Sequence, residues 1–197
     1  AIEATATLCE SLGHAATPMA TPWPSAFSDP FLLYWAGIAN SVVSGWEAAA
    51  GRAATETDFE PFTLGLRDHY KTHEDEAGAA VLKLLGFVSD YDALFKEYDV
   101  LLSPVLAAPP PPIGYFGDGS DYDRSIERVR AYAQYTAPAN VSGAASLSLP
   151  LGWSKAGLPI GSLFNARRDD ERLLLELAYE LEEAAPWRDR KPPVWVG

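Results

Sequence analysis

The stretch Tyr135-Thr-Ala-Pro-Ala-Asn-Val-Ser-Gly-Ala-Ala-Ser-Leu-Ser-Leu-Pro-Leu-Gly-Trp-Ser-Lys-Ala-Gly-Leu-Pro-Ile-Gly-Ser-Leu-Phe-Asn165 decides the predicted fold of this chain. From Ala145 to Leu149, apolar residues alternate with serines, which predicts a strand with one face on a core. Pro150 and Gly152 are predicted to end this strand. A turn then leads to a second extended run, from Leu158 to Phe164. These two strands predict the sheet around which the helices are arranged.

Helical periodicity dominates the rest of the sequence. The helix 29–50 carries apolar residues nearly all round and is predicted to be deeply buried. The helix 81–98 carries a stripe that is predicted to pack on a sheet. Val100–Ser103, short and apolar before its serine, predicts a buried third strand. Further helices are predicted near residues 2–12, 61–71 and 122–134, and after Asp169 or Asp170, where leucines 173, 174, 177 and 181 share one face.

These elements predict an α/β fold in which a mixed sheet is covered by helices. Residues 1–197 contain no repeat and no linker, so we expect no internal domain boundary. Three short strands cannot cover this many apolar helices, and the chain opens without Met inside a helical pattern. We therefore expect that part of the fold is missing. A contiguous apolar surface, or a second copy covering it, should mark the place.

The composition excludes several classes of function. With 48% hydrophobic residues the chain is not disordered, and its net charge of −12 disfavours nucleic acids and anionic membranes. No apolar stretch is long enough to cross a bilayer. The single cysteine, Cys9, excludes an internal disulfide and is compatible with a reducing cytosol, so a cytoplasmic location is expected.

The residues alone predict no catalytic set and no metal site. Neither a Gly-x-Ser-x-Gly elbow nor a Ser-x-x-Lys pattern is present. Ser142 and Ser146 are interpreted as a turn residue and an outward strand residue, and Cys9 as a small buried hydrophobe. His69 and His73 have helical metal-ligand spacing but no third ligand. Asp118, Ser120, Asp121 and Asp123 faintly resemble a calcium-binding loop. This interpretation is rejected because the Gly and the terminal Glu that such a loop requires are missing.

The central stretch also resembles a known family. The ordered strings are similar to the C-terminal half of amidase signature enzymes, serine hydrolases that cut carboxamide C–N bonds. The resemblance implies an acyl-enzyme mechanism without a cofactor. It also implies that the nucleophilic Ser, the bridging Ser and the Lys base precede this chain. The strings are Tyr98–Pro104, Pro111–Gly114, Thr136–Gly143, Ser148–Pro150, Gly157–Gly161 and Ala185–Trp187.

By this resemblance, the chain supplies sheet support and the pocket wall for a small amide substrate, with the missing N-terminal half as its partner. The expected substrate-binding residues are Glu60, Phe62, Tyr135, Thr136 and Asn140. Glu60 is alternatively only the cap of a helix begun by Pro61. Asn140 is alternatively a residue that holds nearby backbone.

The stretch Glu60–Thr63 resembles the branch that contains the 6-aminohexanoate cyclic dimer hydrolases and many bacterial amidases. In the amidotransferase branch, an acidic residue that binds the free amino group would fall near Ala133, and its absence here argues against that branch. The competing hypothesis is a non-catalytic, amidase-like binding or structural domain.

Overall fold

A computed structural model describes residues 1–22, 27–117, 119–192 and 194. Seven α-helices and three strands are found in this part of the chain, and a 3₁₀ turn, Glu74–Glu76, precedes α4. In chain order they are α1 Ile2–Ser11, α2 Ser28–Ala50, α3 Pro61–Thr72, α4 Ala77–Leu94, β1 Val100–Pro104, α5 Tyr122–Tyr132, α6 Ala137–Ser142, β2 Ala145–Trp153, β3 Pro159–Ala166 and α7 Glu171–Ala184.

The three strands form one antiparallel sheet in the order β1-β3-β2. This confirms the predicted combination of helices and a sheet; within the described residues the sheet is antiparallel throughout. The prediction that Pro150 and Gly152 end the first strand of the pair is wrong. The strand continues to Trp153, and its register shifts between Leu149 and Gly152. Because β2 is an edge strand of this sheet, a proline without an N–H is tolerated there at a bulge.

One face of the sheet packs against α1 and α7. Phe164 of β3 lies opposite Leu102 and Leu147, and it joins Leu174 and Leu181 in a core that excludes water. Leu181 is fully buried, as the predicted leucine face of α7 requires. The helix begins after Asp170, but the Asp170 side chain makes no capping hydrogen bond.

The helices α2 to α6 form two further apolar clusters. Leu84, Phe87 and Tyr91 of α4 pack with Leu101 of β1 and with Ala137 of α6. A separate cluster joins α2, α3 and α5 through residues Leu32, Ala36, Leu66 and Ile126. Together they hold α3 and α6, which carry or adjoin the predicted site residues, in fixed positions.

Two helices are less buried than predicted. The outer row of α2, Tyr34, Ile38 and Val42, is 48–56% exposed, because only the opposite face packs on α3 and α4. On α4, Leu82 and Leu85 are 70% and 61% exposed. The prediction that α2 is buried all round is therefore wrong for this chain. Likewise, only one row of the α4 stripe packs inward.

Candidate functional site

Four serines of the sheet and of α6 have neutral hydrogen-bond partners. Ser162 Oγ lies 2.8 Å from Thr5 Oγ1, and Ser103 Oγ donates to a backbone carbonyl. Ser146 Oγ donates to Asn165 Oδ1 at 2.8 Å, and Ser142 Oγ accepts from a backbone N–H. None of these contacts is to a Lys, His or carboxylate that would activate a hydroxyl as a nucleophile.

One face of the sheet is polar and partly open. Ser146 and Asn165 lie side by side on adjacent strands, and Ser148 and Ser103 flank Leu163 in the next row. Ser146 and Ser148 are exposed, as predicted for outward strand residues. Ser142 was interpreted as a turn residue, but it is buried at the end of α6.

The segment that carries Tyr135, Thr136 and Asn140 is a short helix rather than a loop. Pro138 sits in its first turn, and Gly143 ends it with a φ of 69°, a left-handed conformation that favours glycine. Tyr135 and Thr136 are half-buried at its start, whereas Asn140 is exposed. No hydrogen bond joins the Asn140 side chain to the described backbone, so no contact supports its predicted role in holding nearby backbone, and its role in substrate binding stays a prediction.

Glu60 occupies the N-cap position of α3, but its side chain makes no capping hydrogen bond. Its carbonyl accepts the first bond of the helix, from the N–H of Leu64 at 3.1 Å. The carboxylate lies exposed, without an ion-pair partner in the described part of the chain. It is therefore free to meet a ligand.

Phe62 is a packed residue. Its ring centroid is 5.8 Å from that of Trp35 and 6.0 Å from that of Tyr122. The turn at Gly119 crosses its backbone so closely that a Cβ there would lie 2.5 Å from the Phe62 nitrogen. Only glycine fits this approach, where φ is also +85°.

The two predicted halves of the pocket lie near different ends of α5. Tyr122, at the start of α5, contacts Phe62, whereas the other end of α5 leads to Tyr135. Eleven helical residues span about 16 Å. The Glu60–Phe62 corner and the Tyr135–Thr136 pair thus lie at opposite ends of α5. Their convergence on one substrate stays a prediction.

A second polar region lies among α2, α3, α4 and α5. This polar groove, with a volume of about 400 Å³, has a floor that includes Leu32, Leu33 and Ala80. Its charged or titratable lining residues are Asp29, His69, His73, Glu76, Lys83 and Arg130. Sequence analysis singled out only the two histidines, because Asp29 and Arg130 are brought together from distant parts of the chain.

The two histidines are held in a defined arrangement. Their ring centroids are 4.5 Å apart, and the Nδ1–H of His73 donates to the carbonyl of His69 at 2.9 Å. Burial, followed by repulsion from His73, lowers the pKa of His69 below its usual value. The His69 imidazole therefore favours its neutral form more than an exposed histidine does.

The described residues contain no group of three or more His, Cys, Asp and Glu side chains arranged to hold a metal ion. Asp118, one of the residues in the rejected calcium loop, lies outside them. Cys9 is buried in the core beside α7, as predicted. Burial raises the pKa of its thiol, which makes it a poor nucleophile. In the part of the chain that the structure describes, no helix combines the length and apolar character needed to cross a membrane.

Comparison with known proteins decides the family. A profile of the family described as Amidase matches residues 1–175. The chain belongs to the amidase signature family. "Putative amidase AmiC" of Mycobacterium tuberculosis strain H37Rv is 37% identical over 181 residues. That match covers 91% of the present chain and 38% of AmiC.

Two solved amidase structures have the same arrangement of elements. The 6-aminohexanoate cyclic dimer hydrolase complexed with substrate matches with a TM-score of 0.83 and 26% identity, over 98% of this chain and 42% of that one. A bacterial aryl acylamidase matches with a TM-score of 0.76 and 21% identity, over 96% of this chain and 40% of that one. The present chain thus spans about two-fifths of the length of these relatives.

Proposed function

We propose that this chain is part of a serine-dependent amidase that hydrolyses carboxamide C–N bonds through an acyl-enzyme. Polypeptide outside these residues supplies the nucleophilic Ser, the bridging Ser and the Lys base. This chain supplies part of a larger mixed sheet and walls of the substrate pocket. The observation that carries the proposal is the match of nearly the whole chain to about two-fifths of an amidase fold.

The hydrogen bonds of the serines support this division of roles. A hydrolytic serine needs a base within hydrogen-bond distance, and the hydroxyls of Ser103, Ser142, Ser146 and Ser162 have only neutral hydrogen-bond partners. We therefore expect the purified chain to leave a simple anilide intact. Hydrolysis that is abolished by one point substitution within residues 1–197 would overturn the proposal.

The exposed apolar rows of α2 and α4 support the same proposal. Tyr34, Ile38 and Val42 form a ridge of residues four apart, and Leu82 and Leu85 form another on α4. In a full-length amidase, the remaining polypeptide covers these ridges. The double substitution Leu82→Glu/Leu85→Glu should then destabilise the full-length enzyme but not this chain alone. Equal effects in both proteins would count against coverage of α4.

Glu60 is the residue of this chain best placed to select among substrates. Its carboxylate is exposed and uncapped, so it favours an amide that bears a positive amine or an N–H donor, and it disfavours anionic amides. The test is Glu60→Gln in the full-length amidase, with kcat/KM measured for a cationic and a neutral amide of equal size. An unchanged ratio would show that Glu60 does not contact the substrate.

The test of catalysis itself uses the full-length protein. Cyclic and linear amides are the assay substrates, since the structural neighbour with 26% identity is a cyclic dimer hydrolase. Hydrolysis that depends on an upstream Ser and Lys is the expected result. A full-length protein that has both residues and binds amides without cleaving them would instead be a non-catalytic amidase-like domain.

A further inference from the structure

The polar groove contains two unpaired charges of opposite sign. Glu76 and Lys83 both line it, and neither has an ion-pair partner in the described part of the chain. They are seven residues apart on one helical face, which separates their backbones by about 10 Å. This separation is too large for the two side chains to form a close ion pair with each other, so each charge is available to a ligand.

The floor between these charges is apolar. Ala79 and Ala80 lie between them on the same face of α4, and Leu33 of α2 lines the opposite side. Two alanines leave a trough over which a hydrocarbon chain can lie. Ala80 and Leu33 are each 6% exposed, so this floor is a fixed part of the core.

The remaining charged pair does not compete for the ligand. Arg130 donates to the carboxylate of Asp29 and, through Nε, to Ser28 Oγ at 2.9 Å. Asp29 and Arg130 therefore neutralise each other at the wall of the groove.

We propose that the polar groove binds a short amino carboxylate whose two charges are separated by several carbons. The ligand's ammonium group lies at Glu76, its carboxylate at Lys83 and its carbon chain over Ala79 and Ala80. Because one charge of each sign is matched, the groove discriminates against simple anions and simple cations. The separation of Glu76 and Lys83 discriminates against α-amino acids, whose charges are adjacent.

The three histidines of the chain give a direct readout. His69 and His73 line the groove, whereas His14 contacts Glu180 of α7 and serves as an internal reference. The experiment titrates the chain at pH 8 with 5-aminopentanoate and follows the imidazole resonances by NMR. We expect saturable shifts of His69 and His73, with His14 unmoved. Absence of those shifts at high millimolar ligand would overturn the proposal.

Two matched ligands test the chemistry. Norvaline is an isomer of 5-aminopentanoate with adjacent charges, and pentanoate lacks the ammonium group. We expect both to bind more weakly than 5-aminopentanoate. Equal binding of pentanoate would show an anion site only, and equal binding of norvaline would refute the role of charge separation.

Two matched variants test the residues. Glu76→Gln and Lys83→Met should each raise the Kd for 5-aminopentanoate about two- to fivefold, the effect of one solvent-exposed ion pair. The control variants Glu74→Gln and Lys71→Met remove the same charges outside the groove and should leave the Kd unchanged. If the control pair weakens binding as much as the groove pair, the effect is general electrostatics and the assignment fails. Binding is measured without turnover, so the result is independent of amidase activity.

Discussion

The buried hydrogen bond between Thr5 and Ser162 gives the sharpest test of how α1 is held on the sheet. The two hydroxyl oxygens are 2.8 Å apart, and the residues are 3% and 0% exposed. Removing one hydroxyl leaves the other buried without a partner and out of reach of water. We expect Ser162→Ala and Thr5→Val each to lower the free energy of unfolding by about 1–3 kcal/mol.

The double variant Thr5→Val/Ser162→Ala should cost less than the sum of the two single variants, because no unpaired hydroxyl remains in the core. The measurement is urea unfolding followed by circular dichroism, with m-values compared to check two-state behaviour. Thr7→Val on the same helix is the control. Thr7 is exposed and its hydroxyl donates only to the Glu3 carbonyl, so a change within about 0.5 kcal/mol is expected. Additive costs would refute the reasoning that the two hydroxyls satisfy each other.

Three further predictions concern the helices around the polar groove. Gly45→Ala should stabilise the chain by about 1 kcal/mol, because a Cβ at position 45 meets nothing within 4 Å. Gly65→Ala should destabilise the chain, because a Cβ at position 65 would lie 2.5 Å from the Tyr122 ring. Thermal unfolding of the two variants compares them directly. Tyr122→Phe should leave stability unchanged or raise it, because the buried Tyr122 hydroxyl has no hydrogen-bond partner and burial raises its pKa to about 12. A clear loss of stability in urea unfolding would show that the hydroxyl has a partner. Because the pKa of His69 is lowered in the folded chain, the unfolded chain binds more protons between that pKa and about 6.5. The free energy of unfolding should therefore fall as the pH decreases through this window. His69→Gln should flatten this dependence of stability on pH. The groups that act on His69 are, in order, His73, Asp123, Arg130 and Asp29.

Local pattern was enough to predict most elements of the fold. The alternation before Leu149 and the stripes of α1 and α7 report on one segment at a time, and each segment buries the face that its own period defines. The α6 helix was missed, although Pro138 and Gly143 have the positions that start and stop a helix. The helix has only six residues, so its sequence cannot be distinguished from a loop of the same composition. So short a helix forms through packing on α4.

The exposed rows and the polar groove could not be predicted in the same way. Periodicity shows that α2 is apolar on most sides, but not which neighbour covers each side, so Val42 was predicted to be buried although it is 56% exposed. The pairing of Asp29 with Arg130 joins residues 101 positions apart, for which sequence carries no local signal. The start of α3 at Pro61 was predicted correctly, whereas the absence of a capping hydrogen bond from the Glu60 side chain is visible only in the structure.

The accessible carboxylate of Glu60 and the apolar ridges of α2 share a physical explanation. An apolar ridge in water costs free energy roughly in proportion to its area, so a chain keeps one only where another surface covers it. An uncapped acid at a helix start likewise forgoes a local hydrogen bond that its position offers. We propose that both features, which cost free energy in this chain alone, become favourable once further polypeptide or substrate is present. Substitutions at Glu60 and on the outer rows therefore belong in the full-length amidase, whereas the described lining residues of the polar groove all belong to this chain.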